Sequence, residues 1–172
     1  MRGMRLAGFV VGVMVLCFAA PVWATGAAAP SISSVVFTGS QAQPVITITG
    51  TGFGTRPASN PSYAPPALTH PLCPVKPALP LPRYGLDYGT SLYLLDTSQH
   101  PAWAAGRYRP GARELDCIGL LIARYTPTTI EVRLGAAYPE VRGYPAHYAL
   151  ASGDAYVVSV AGVRFSGRVR YR

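Results

Sequence analysis

Acidic residues are scarce in this chain, 7 in 172, and no loop carries the dense acidic spacing of a calcium site. Asp87, Asp96, Glu114 and Asp116 come nearest, and they read as solvated or arginine-paired carboxylates. Lysine is scarcer still, with Lys76 alone. The glycine-rich stretch at residues 50–54 (GTGFG) is therefore followed by neither the lysine nor the helix of a phosphate-binding loop. The three histidines, His70, His100 and His147, all fall in loop-like stretches, two of them directly before proline. They leave no metal-ligand set at a usual spacing, even counting Cys73 beside His70. Ser152, His147 and Asp154 contain the residue types of a small hydrolase, but the serine has no nucleophile-elbow context. No catalytic residue, metal ligand or cofactor is assigned. After residue 24 no stretch keeps a helical period, which leaves strands as the source of a core.

One long apolar run is present, and it opens the chain. Residues 1–5 (MRGMR) carry two arginines, and an apolar stretch of 15 residues follows at 6–20. Pro21 and Val22-Trp23-Ala24 come next, placing small or β-branched residues at the −3 and −1 positions of a cleavage site. That order predicts a secretory signal over 1–24. The run is shorter than the about 20 residues needed to cross a bilayer. A lipoprotein signal through Cys17 is disfavoured because Leu16 precedes it where a small residue is required. Cleavage after Ala24 predicts one domain over 25–172, exported to the cell surface or beyond it, with no further membrane span.

Two cysteines survive that cleavage. In an exported chain Cys73 and Cys117 read as one disulfide, with two free thiols as the alternative. The loop of about 45 residues between them makes such a bridge worth roughly 4 kcal/mol in the chain-entropy model. Loss of Arg2 and Arg5 leaves 13 basic against 7 acidic residues, a net charge of +6. Such a balance suits an anionic envelope polymer, but dispersed arginines read first as solvated surface. No nucleic-acid partner is expected.

The strands announce themselves by period two. Residues 32–38 (ISSVVFT) are β-branched and end at a Gly-Ser turn signal. Residues 45–49 (VITIT) alternate, with Ile46 and Ile48 on one face and Thr47 and Thr49 on the other, and then meet Gly50, Gly52 and Gly54. Glycines so placed suit a bulge or sharp bend. Residues 55–90 read as an insertion, and its 56–82 portion holds nine of the 17 prolines. Short strands are predicted again at 91–96, 117–125 and 129–134, the second of them as a central strand. Residues 106–114 and 136–150 read as irregular. At the end, Tyr156, Val158 and Val160 alternate to a turn near Ala161-Gly162, and Val163, Phe165, Val169 and Tyr171 alternate after it. Seven or so short strands separated by turns predict an all-β, antiparallel sandwich of immunoglobulin type.

These motifs resemble those of the IPT/TIG domain, an immunoglobulin-like family. The match lies in ISSVVFTG and VITITGTGFG, whose glycine corner ends the first two strands, in YTPTTIEVRL, and in the closing hairpin GDAYVVSVAGVRFSGRVRY. It covers about half of the mature chain, and the insertion, the cysteine pair and the length depart from the pattern. The resemblance implies no catalytic residues. It implies a surface, adhesion or spacer module in exported bacterial proteins, and DNA-binding or ectodomain roles in Rel-like factors and plexin-type receptors.

Two surfaces are candidates for a protein or polysaccharide partner. Tyr84, Tyr88, Tyr93, Trp103 and Tyr108 crowd together beside the insertion and could stack on sugars, as in a carbohydrate-binding module, or else fill the core. Arg164, Arg168, Arg170 and Arg172 occupy one face of the last strand, where they either meet an anionic ligand or guard an open sheet edge. No sequence feature sets an oligomeric state.

Overall fold

Each of the last four inward positions of QPVITITG, namely Pro44, Ile46, Ile48 and Gly50, is buried, while Val45, Thr47 and Thr49 are partly or fully exposed. This two-residue period builds the second strand of a β-sandwich, and the same logic builds the rest. The computed structural model describes residues 29–59, 85–100, 102–107, 115–135, 138 and 150–172. Among them, the chain forms β1 (Ser31–Ser40), β2 (Gln43–Thr51), β3 (Leu92–Asp96), β4 (Trp103–Ala105) and β5 (Leu115–Ile118). It continues through β6 (Leu120–Tyr125), β7 (Thr129–Leu134), β8 (Ala155–Val160) and β9 (Val163–Arg168).

Two sheets result, one ordered β1-β2-β7-β6 and the other β5-β4-β3-β8-β9. Read along the chain, this is the nine-strand order of a variable-type immunoglobulin sandwich, with four strands facing five. The pairs are antiparallel with one departure from the expectation, the parallel pair β4–β5, in which Trp103 faces Leu115 and Ala105 faces Ile118. Beyond β9 a single parallel bridge joins Tyr171 to Phe37 of β1, so the chain end crosses to the first sheet.

The glycines of the corner after β2 do separate jobs. Gly52 and Gly54 hold φ of 68° and 69°, in the left-handed region. Gly50 is needed for space, since a Cβ there would strike the Ser31 carbonyl oxygen and the Phe53 ring. The corner is then closed from below. Gly50 and Phe53 donate their N–H groups to Thr128 and Pro127 at 3.0 and 3.1 Å, and the Tyr125 hydroxyl donates to the Phe53 carbonyl at 2.8 Å.

One sequence expectation is corrected. Residues 117–125 are not a single central strand: the chain breaks at Gly119, giving β5 at the edge of one sheet and β6 at the edge of the other. Parity hid the break. Ile118 and Leu120 flank Gly119 and both face the common core, so the alternation runs on through a change of sheet.

The core gathers Phe37, Ile46, Ile48, Leu92, Leu94, Trp103, Ile130, Val132, Val158 and Val160, all 2% exposed or less. Phe37 packs edge-on against Tyr156 at 4.9 Å, locking β1 to β8 across the two sheets. Among the described residues no helix is long and apolar enough to cross a membrane. Most of the 55–90 insertion lies outside the described residues.

Candidate functional site

The alternation of β9 sorts its side chains cleanly. Val163, Phe165, Gly167 and, past the strand, Val169 and Tyr171 are partly or fully buried, while Arg164, Ser166, Arg168, Arg170 and Arg172 are exposed. All four candidate arginines therefore stand on one outward row, as the sequence predicts. Across the ladder, Arg164 faces Ser159, Ser166 faces Val157 and Arg168 faces Ala155, so the adjoining strand offers no carboxylate. Among the described residues none of the four has an acidic partner. Arg168 is steered by a backbone contact, its Nη1 donating to the Gly153 carbonyl at 2.9 Å.

The aromatic set lies elsewhere. Tyr88, Tyr93 and Trp103 are 4%, 3% and 0% exposed, so these three rings are core and do not form a stacking platform. Tyr88 precedes β3 and is tied down by its N–H, which donates to the Gly106 carbonyl at 2.8 Å; for Tyr93 and Trp103 the strands explain the burial. β3 and β4 sit inside the five-stranded sheet, and their side chains are buried on both faces apart from the half-buried Leu95. Trp103 packs against Tyr138 at 5.9 Å, and the Arg107 guanidinium lies over the Tyr93 ring at 4.4 Å. Tyr84 and Tyr108 lie outside the described residues. So does Cys73, and of Cys117 only the backbone, in β5, is described.

Three aspartates are employed in turns. Asp87 Oδ1 accepts the Gly89 N–H at 2.8 Å, Asp96 Oδ1 accepts the Ser98 N–H at 2.8 Å, and Asp154 Oδ2 accepts the Ala151 N–H at 2.6 Å. Short side chains that satisfy a nearby backbone donor are a standard way to fix a turn. Among the described residues no three His, Cys, Asp or Glu side chains gather as metal ligands. His70 and His147 lie outside the described residues, whereas His100 and Ser152 are exposed.

Asp96 corrects the sequence reading, which took it for a solvated or arginine-paired carboxylate: it is buried, and the groups that act on its charge are Ser98, Trp103, Gln99 and Asp154. It shares the inward parity of Leu92 and Leu94, so it is a carboxylate on the core face, 0% exposed. Burial pushes its carboxyl up from 3.8 to about 6, with the charge of Asp154 adding to the rise. Hydrogen bonding from Ser98, Trp103 and Gln99 opposes that rise without cancelling it. The signal was available in LYLLD, where the alternation places an acid at the third inward position.

At the same end of the sandwich two tyrosines grip the approach to β8. The Leu150 N–H donates to the Tyr138 hydroxyl, and the Tyr171 hydroxyl donates to the Leu150 carbonyl, both at 2.8 Å. Burial, with Tyr138 and Asp154 nearby, pushes the Tyr171 hydroxyl well above its usual range. Beside Tyr138 opens a recess of about 460 Å³, lined largely by apolar groups including Pro44, Val45, Leu121 and Leu134, with Arg133 among its lining residues. Arg133 reaches Glu131 at 4.0 Å.

Comparison with protein-family models, with curated proteins and with solved structures found no match to this chain.

Proposed function

We propose that this chain is an exported, non-enzymatic binding or structural module of the cell surface or extracellular space, built on an IPT/TIG-like sandwich. One observation carries the reading: the described aspartates Asp87, Asp96 and Asp154 each spend a carboxylate oxygen on the backbone of a turn. Acids committed to turns serve the scaffold, and the exposed arginines are left to meet a partner. The immunoglobulin-type strand order agrees with this, because that architecture serves binding and spacing in many unrelated proteins. Under the same reading the signal 1–24 is removed, and the Cys73–Cys117 bridge ties the insertion to β5.

The test is a glycan-array and cell-surface binding screen of residues 25–172, run beside a panel of hydrolase substrates. The reading expects saturable binding and no turnover. Turnover of any one substrate, abolished by His147→Ala, would replace it with a small secreted hydrolase.

A further inference from the structure

We infer that the arginine row is a docking strip for an anionic polysaccharide, a deepening that rests on the binding-module reading above. Arg164, Arg168, Arg170 and Arg172 are exposed on one side of the closing segment, and none has an acidic partner among the described residues. At about 3.3 Å per residue the row runs on the order of 26 Å, long enough for several sugar units in an extended chain. Ser166 fills the interval between Arg164 and Arg168 with a hydroxyl, a hydrogen-bonding group for sugar oxygens. Guanidinium groups recognise carboxylate and sulfate in paired geometry, which lysine cannot reproduce.

Two competing explanations fit less well. Charge on an open edge discourages sheet-to-sheet pairing, and Arg164 and Arg168 on edge strand β9 serve that purpose. Arg170 and Arg172 lie past β9, flanking the Phe37–Tyr171 bridge, where the Arg172 N–H bonds the Phe37 carbonyl and the edge is already paired to β1. Single-stranded nucleic acid is held by aromatic stacking as well as by charge. The aromatic residues interleaved with this row, Phe165 and Tyr171, turn inward and pack on the core. The strip offers charge without stacking, which selects a sugar polymer.

The experiment measures binding of residues 25–172 to immobilised heparin, the anionic polysaccharide probe, and to an oligo(dT) strand, across a salt series. Four charge contacts at about 0.7 to 0.9 counterions each give a log–log slope near −3, or an about 60-fold loss between 50 and 200 mM salt. The quadruple variant with Arg164, Arg168, Arg170 and Arg172 each changed to Gln should lose at least about tenfold in affinity at low salt. Arg133→Gln, in the other sheet, should change it less than about twofold. The double variant R164Q/R170Q, which spares the Arg168–Gly153 contact, covers the case in which the quadruple variant does not fold, and should still lose several-fold. Absent heparin binding, equal or tighter binding of oligo(dT), or an Arg133→Gln loss as large as the row variants' would each overturn the strip. Cell-surface or glycan-array binding that survives the row variants would overturn the strip and leave the module reading standing.

Discussion

Phe37 and Tyr171 close the sandwich from its two ends of sequence. Their backbones bridge in parallel, Arg172 donates its N–H to the Phe37 carbonyl at 3.1 Å, and the two rings meet edge-on at 6.1 Å. Tyr171 also donates its hydroxyl to the Leu150 carbonyl. Removing the hydroxyl alone, Tyr171→Phe, should cost about 1 kcal/mol, the worth of one hydrogen bond. Tyr171→Ala should cost about 3 kcal/mol by also removing the ring. Urea unfolding midpoints of the two variants separate these contributions, and equal losses would mean that the ring does not secure the chain end.

The β8–β9 hairpin turns through Ala161 and Gly162, with φ of 48° and 84°. A two-residue turn with both angles positive favours Asn-Gly, and alanine carries a Cβ penalty at the first position. Ala161 is exposed, and its N–H donation to the Ser91 carbonyl at 2.8 Å is independent of its side chain. Ala161→Asn should therefore stabilise the domain by about 0.5 to 1 kcal/mol, read as a rise in thermal midpoint. A fall would show that the turn is not under this strain.

Asp96 gives the fold a pH dependence of known sign. Its carboxyl titrates near 6 when folded and near 3.8 in its ordinary state, so between those values the native protein holds the extra proton. The stability from this group is full below 3.8 and is lost as pH rises through about 6. Asp96→Asn keeps an oxygen for the Ser98 N–H and carries no charge to bury. The variant should flatten the stability profile between pH 4 and 7 by about 1 to 2 kcal/mol, a value reduced for solvent screening. Denaturant titrations at several pH values check this; parallel curves for the two proteins would contradict it.

Much of this architecture was legible because inward parity is a local property of a strand. VITIT and TIEVRL face the core as their alternation requires, and the exposed arginine row followed from the same count. What parity cannot report is which sheet a strand joins. Gly119 therefore passed unnoticed as a change of sheet, and the burial of Tyr93 and Trp103 depended on β3 and β4 being interior strands. The turn roles of Asp87 and Asp154 were hidden for a related reason: each depends on a backbone N–H two or three residues away.

The measurement closest to the central claim is the intact mass of the protein recovered from the extracytoplasmic fraction of an expressing cell, before and after reduction and alkylation. An exported module predicts a chain beginning at Thr25, lighter by two thiol hydrogens, that takes up alkylating reagent at Cys73 and Cys117 only after reduction. A full-length chain retained inside the cell, with both cysteines alkylated without reduction, would contradict it.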